Sequence, residues 1–265
     1  MDITLIGIGP GDWLSLTQAA ARALEQAPVL LGAPRLLEGL PPQCSGRRIP
    51  CLRTSELVGA LIGLSGQAER AAVAFSGDIG FYSGAASLLH TLQAALPEAR
   101  CTLLPGLSSP QVLAARLGRP WQGWKLVSAH GVACDPAAAC AGGGDVFFLT
   151  GGSCTPASLC ARLTEAGLGD CRATAASRLG YPDEAIVTGT AVQLAEQTFA
   201  PLSVLLVEGC PAPLRQSRVG GIPDEEFLRA KVPMTKQEVR AAALALLMII
   251  NLAACGGNKD SGGAK

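Results

Sequence analysis

The chain is poor in aromatic rings and in imidazoles. Of its 265 residues, 4% are Phe, Trp or Tyr, and histidine occurs only as His90 and His130. Two imidazoles supply few ligands for a transition-metal centre. The ten cysteines do not make up the deficit. No C-x-x-C occurs, and the two C-x5-C spacings, Cys134/Cys140 and Cys154/Cys160, match no zinc pattern. We therefore expect no metal, and thiols that serve as small buried hydrophobes. An excess of one charge is also lacking, since 21 Lys and Arg face 21 Asp and Glu. Such a balance gathers neither nucleic acid nor an anionic membrane, so neither is an expected partner. The absence of Gly-Lys-Ser/Thr rules out a P-loop ATPase. The apolar run at 241–250 falls well short of the ~20 residues that a membrane span needs. No basic or apolar leader precedes the first strand-like segment, which makes the cytoplasm the expected location.

What is present is a large apolar fraction, 49%, with mean hydropathy +0.33 and 32 glycines. That supports a substantial core, and the length suits two domains. The first half alternates strand-like segments at 2–8, 28–32, 71–75 and 100–104 with helix-like ones at 14–26, 54–66, 83–95 and 108–117. Near-continuous apolar strands in this rhythm predict an α/β fold whose parallel sheet is covered on both faces. Pro41-Pro42 and Gly46-Arg47-Arg48 read as an exposed connection. Gly118-Arg119-Pro120 reads as a hinge, giving an N-terminal α/β domain at 1–117. A second α/β domain at 118–210 would hold strands at 124–129, 145–150, 172–177, 185–189 and 202–208, with helices at 155–167 and 190–198. From 211 to 265 we expect a linker, a helix near 234–247 and a disordered Gly/Lys/Ser/Asp finish. Leu252-Ala253-Ala254-Cys255-Gly256-Gly257 resembles the end of a lipoprotein signal at the wrong end of a chain, and is read as a truncated or spliced end.

Three turns, each leaving an apolar strand-like run and entering a helix-like one, carry most of the functional signal. They are Gly7-Ile8-Gly9-Pro10-Gly11-Asp12, Ser76-Gly77-Asp78-Ile79-Gly80 and Pro105-Gly106-Leu107-Ser108-Ser109. In an open α/β sheet such ends share one edge, where ligands bind. Glycine lets backbone approach a ligand closely, and proline fixes φ where no amide is needed. The first turn is a weak match to the dinucleotide fingerprint, because Pro10 removes an amide and Asp12 takes the place of the last glycine; a tight strand-to-helix connection is the alternative. Other readings stay open for individual residues. Asp78 could bond its own turn, Ser108 and Ser109 could cap the following helix, and His130 could be structural.

Together with Arg178-Leu179-Gly180-Tyr181-Pro182-Asp183-Glu184, these turns follow the order of the tetrapyrrole methylase family, which the chain resembles over about residues 2–210. Within that family, five further segments resemble one module. They are Gly32-Ala33-Pro34-Arg35, Gly80-Phe81-Tyr82, Ala114-Ala115-Arg116-Leu117-Gly118, Trp121 and Ser128-Ala129-His130-Gly131. The module is the C5-methylating part of precorrin-6Y C5,15-methyltransferases (decarboxylating), shared with cobalt-precorrin-7 C5-methyltransferases.

The resemblance implies a two-domain α/β fold, a homodimer, and S-adenosylmethionine held in a cleft between the domains. It also implies C5 methylation of a corrinoid tetrapyrrole in cobalamin biosynthesis. The implied cofactor contacts are Pro10, Ser76, Gly77, Asp78, Phe81, Ser108 and Ser109, joined from the second domain by Leu149, Thr150 and Leu179. Two positions depart from the family pattern: Ile79, where proline commonly follows the aspartate, and Ser177, where glutamate often precedes Arg-Leu-Gly. The implied substrate carries many carboxylates, which an arginine fork suits. Arg35, Arg116 and Arg178 are its candidate binders, and His130 is the candidate catalytic proton acceptor. Beyond 220, Gly221-Ile222-Pro223-Asp224-Glu225-Glu226-Phe227 and Pro233-Met234-Thr235-Lys236-Gln237-Glu238-Val239-Arg240 resemble the entry to a C15-methylating, decarboxylating module. The expectation is C5 methylation without decarboxylation, with that module as a partner. Two rival readings are another S-adenosylmethionine methyltransferase of the same fold, such as a diphthine synthase, and a non-catalytic ligand-binding protein.

Overall fold

The computed structural model describes residues 1–211 and 235–256. The motif at 221–227, residues 233 and 234, and the tail after 256 lie outside the described residues. Met1–Pro211 form one compact unit and Ala212–Lys265 a second.

The first unit begins with five parallel strands: β1 (Asp2–Gly7), β2 (Val29–Gly32), β3 (Arg47–Pro50), β4 (Arg70–Phe75) and β5 (Arg100–Leu104). They lie side by side in the order β3-β2-β4-β1-β5. Side chains alternate across a strand, so each apolar run supplies two cores. Ile3, Leu5, Leu31 and Val73 pack with Leu57 and Leu61 of α3 (Thr54–Leu64) and Leu88 and Leu92 of α4 (Ala85–Ala95). Ile6, Leu30, Ala72 and Ala74 pack on the other face, with Ala20 and Leu24 of α1 (Gln18–Gln26) and Leu36 and Leu37 of α2 (Pro34–Glu38). Both faces are covered, as the unbroken apolar strands require.

Two local expectations change. Arg47 and Arg48, read with Gly46 as a connection, open an edge strand, Arg47–Pro50: its backbone pairs with β2 while its side chains stay mostly exposed, so apolar pattern could not reveal it. The helix expected at 14–26 is divided. Asp12 accepts from the Leu14 amide at 3.0 Å to cap a 3-10 turn at Trp13–Ser15, and Thr17 accepts from Ala20 at 3.1 Å to start α1.

The second sheet holds β6 (Lys125–His130), β7 (Gly144–Gly151), β8 (Arg172–Ser177), β9 (Ala185–Thr190) and β10 (Ser203–Cys210), in the order β6-β7-β10-β8-β9. Only β6 and β7 pair in parallel; the other neighbours are antiparallel. The seven residues 178–184 between β8 and β9 are too few for a parallel crossover, so these strands form a hairpin. One face carries α6 (Pro136–Cys140), α7 (Pro156–Glu165) and α8 (Ala191–Ala195), with Cys140 and Cys160 buried among Phe148, Leu159 and Leu205. The other face receives α5 (Ser109–Leu117), which follows the first sheet in sequence. Its Val112, Leu113 and Ala114 pack with Trp124, Phe147, Leu179 and Leu206. The last described element is α9 (Gln237–Gly256). Among the described residues, no helix is long and apolar enough to cross a membrane.

Candidate functional site

Because β4, β1 and β5 are neighbours, the turns that leave them must meet at one sheet edge. They meet backbone on backbone. Gly9 and Gly77 exchange amide-to-carbonyl hydrogen bonds of 3.1 and 2.9 Å. A Cβ on Gly7 would lie 2.6 Å from the Gly77 carbonyl oxygen and 2.8 Å from the Gly106 nitrogen. A Cβ on Gly106 would lie 2.5 Å from the Gly77 oxygen and nearer still to that of Gly7. Only glycine permits this contact, and it leaves a cradle lined by main chain.

Asp78 locks the cradle. One carboxylate oxygen accepts from the Gly80 amide at 2.8 Å, within its own turn, and the other from the Gly106 amide at 3.1 Å, in the next. Ser108 is buried at the start of α5, where its amide and its hydroxyl both donate to the Gln111 side-chain oxygen, at 2.8 and 2.9 Å. Ser109 is the first residue of that helix, partly buried. Ser76 is exposed on the second turn, and Pro10 is partly buried on the first.

The second sheet reaches the same place from its own side. Phe81 joins the apolar cluster of Trp124 and Phe147, its ring centroid 6.3 Å from that of Phe147. Tyr82 donates its hydroxyl to the Leu126 carbonyl at 3.1 Å. Leu149 packs at the margin of this cluster, and Leu179 lies within it. Thr150 is buried and donates its hydroxyl to the Ser203 carbonyl, so its side chain is tied into the sheet. His130 lies against Gly151, where a Cβ would overlap the imidazole. Its Nδ1 is 3.1 Å from the Thr150 carbonyl. A carbonyl only accepts, so Nδ1 is the donor in this contact and Nε2 is the ring nitrogen it leaves unengaged.

The loop 178–184 closes the arrangement. Gly180 sits against Pro10, and the Tyr181 ring covers Gly11, where an added Cβ would lie 2.6 Å from the ring. Arg178, at φ 52°, stacks on Tyr181 at 4.6 Å and pairs with Asp183 at 2.6 Å. Arg116 grips Glu184 with two nitrogens, at 2.6 and 3.3 Å. That hydrogen bond, with a further one from the Gly180 amide, holds the Glu184 carboxyl below its ordinary range against the opposing effect of burial. Arg35 donates to the Tyr181 hydroxyl. Tyr82, Tyr181 and Glu184 stand in the quoted motifs without an assigned role. Their partners are 44 to 146 residues away in sequence, and no local pattern marks them.

The residues singled out by sequence thus collect around the three turns, the ends of β6 and β7, and the 178–184 loop. A cavity of about 190 Å³ lies elsewhere, lined by Met1, Ser65 and residues 95–99, and holds none of them.

Comparison with known proteins adds three findings. The family model for tetrapyrrole (corrin/porphyrin) methylases matches residues 2–195. The chain is 29% identical over 258 residues to the precorrin-6Y C(5,15)-methyltransferase (decarboxylating) of Sinorhizobium sp, covering 92% of this chain. It spans 59% of that relative's length. Two solved structures share its fold. Uroporphyrin-III C-methyltransferase of Thermus thermophilus, complexed with S-adenyl homocysteine, matches at TM-score 0.64 and 21% identity, covering 78% of this chain and 97% of that one. The precorrin-6Y methylase of Archaeoglobus fulgidus matches at TM-score 0.57 and 21% identity, with the same coverage.

Proposed function

This chain belongs to the tetrapyrrole (corrin/porphyrin) methylase family, and from that premise we propose that it transfers a methyl group from S-adenosylmethionine to C5 of a precorrin. The family uses that donor. The observation that carries the reading is the glycine-on-glycine packing of the three turns, which leaves main-chain amides and carbonyls lining a crevice edge. Such a cradle fits a donor with a polar amino-acid end and a nucleoside. Support for the corrinoid substrate comes from the 29% identity to the Sinorhizobium relative over nearly the whole chain.

In this reading, Pro10, Ser76, Gly77, Ser108 and Ser109 line the donor site, and Asp78 fixes the spacing of its turns. Phe81, Leu149 and Leu179 supply an apolar wall, while Thr150 braces the end of β7. We take 1–117 and 118–210 as the domains flanking the crevice, with α5 bridging them, and a homodimer as the working form.

The donor, when bound, supplies an already electrophilic sulfonium methyl. What remains for the chain is alignment, and holding donor and acceptor in line is worth ~7–11 kcal/mol at best. His130 Nε2 is the group that would accept the ring proton released on methylation. The relative's name also includes C15 methylation and decarboxylation. The family match covers residues 2–195, and it is to this part that we assign C5 methylation.

The test is incubation with methyl-labelled S-adenosylmethionine and either precorrin-6Y or cobalt-precorrin-7. One labelled methyl at C5 by NMR, with no CO2 released, is the expected result. No label in either ring, together with no heat of donor binding by calorimetry, would overturn the reading.

A further inference from the structure

Three arginines face the crevice region, and their charges are not equally available. The Arg116 guanidinium is held bidentately by Glu184. Arg178 is paired with Asp183 at 2.6 Å. Arg35 differs. Among the described residues no carboxylate lies within ion-pair distance of it, and its hydrogen-bond partner is the neutral Tyr181 hydroxyl. A phenol orients a guanidinium without neutralising it. The remaining donors of the fork stay free for an anion.

The Tyr181 ring is itself held in place. Its face carries Arg178 at 4.6 Å, its edge covers Gly11, and its amide donates to the Arg178 carbonyl at 3.0 Å. Arg35 rides on α2, anchored below by buried Leu36 and Leu37. One fixed ring therefore holds a cation from the first sheet's side beside the ring that covers Gly11, the residue after Pro10.

We propose that Arg35 is the residue that receives a carboxylate of the substrate, and that Tyr181 is its positioning residue. The proposal rests on the methyltransferase reading above and deepens it. It assigns the anion-binding role to one of three arginines and gives the other two to holding the 178–184 loop. The ligand class is a polycarboxylate macrocycle. Its carboxylate completes the ion pair that the protein leaves unmade.

The experiment compares wild type with Arg35→Ala, Arg35→Lys, Tyr181→Phe and the double variant Arg35→Ala/Tyr181→Phe. Steady-state methyl transfer to precorrin-6Y, S-adenosylmethionine affinity and Tm are measured for each. A charge-assisted contact of this kind is worth roughly tenfold or more. Arg35→Ala should raise KM by about that factor, with the loss falling on KM rather than kcat and with donor affinity unchanged. Arg35→Lys should restore part of it, since charge survives but the fork does not. Tyr181→Phe should raise KM less, and the double variant should be no worse than Arg35→Ala alone, because the hydroxyl acts through the guanidinium.

An unchanged KM in Arg35→Ala, or a Tyr181→Phe effect confined to Tm, overturns the assignment while leaving the methyltransferase reading intact. Should wild type transfer no methyl, that reading fails, and fluorescence quenching of the octacarboxylate uroporphyrin III decides the Arg35–Tyr181 anion site separately. Binding by wild type that weakens about tenfold in Arg35→Ala supports the anion site; equal binding, or none, removes it.

Discussion

At Gly106 a single hydrogen atom decides whether the cradle exists. A methyl there meets two carbonyl oxygens, neither of which can retreat without breaking a β1 or β4 turn. Gly106→Ala should cost about 1–3 kcal/mol by overpacking, read as a fall in Tm, and should abolish donor binding by calorimetry. Asp78 makes the complementary case. Asp78→Ala leaves the Gly80 and Gly106 amides without their acceptor; water can reach the exposed Gly80 amide, so the loss is about 1 kcal/mol, chiefly from the part-buried bond to Gly106. Asp78→Asn keeps one acceptor oxygen and should lose less, as denaturant unfolding would resolve. Both outcomes separate a residue that shapes the site from one that merely lines it. Cys160 illustrates the opposite end of the scale. Burial pushes its thiol up to about 12, so at neutral pH it is neither nucleophile nor ligand. Alkylation followed by peptide mass mapping should leave it unmodified until the protein is denatured.

Elements were legible wherever hydrophobic periodicity was strong. The apolar run at 71–75 is β4 within a residue, because a strand buried on both faces has few polar positions to blur it. Arg47–Pro50 escaped for the converse reason: an edge strand is held by main-chain pairing that side-chain pattern does not report. Strand direction in the second sheet was equally hidden, since it depends on which strand β10 enters between. Helix α3 offers a test of how far local preference carries. Gly59 lies exposed in its middle, and a Cβ there meets nothing within 4 Å. Gly59→Ala should therefore stabilise by about 0.5–1 kcal/mol, raising Tm by a few degrees without altering methyl transfer. The 178–184 loop gives an element-scale pH dependence. Arg116 lowers the folded-state value of Glu184 below the ordinary 4.5. The pair's contribution is therefore fully present above that value and lost as pH falls through the depressed one. Arg116 is half exposed, so the contribution is about 1 kcal/mol at most. Glu184→Gln should be slightly less stable than wild type at pH 7, and the gap should close progressively below pH 4.5 in thermal melts.

For the whole molecule, what sequence could not supply was the joining of its two sheets. Nothing local marks Tyr82 as reaching Leu126, or Tyr181 as covering Gly11 and meeting Arg35, because each pairing exists only once the sheets are packed. The three glycine turns were visible because main-chain approach leaves a compositional trace; the clasp around them leaves none. The same packing bears on how much chain the site requires. Among the described residues, the four buried clusters draw their members from Ile3 to Cys210. The sheet edge, the cradle and the 178–184 loop all fall within Met1–Pro211, which forms a compact unit by itself. Among the described residues, a polypeptide ending at Pro211 keeps every member of those clusters and every donor and acceptor of the cradle. It should fold cooperatively, with a Tm within a few degrees of the 265-residue chain, since each kcal/mol lost from a domain this size moves Tm by roughly 2–4 °C. Donor affinity by calorimetry and labelled methyl transfer to the precorrin should likewise match. A truncated chain that folds and binds donor but transfers no methyl would assign residues 212–265 a role in receiving the macrocycle, whereas loss of folding would show that the core extends past the second sheet.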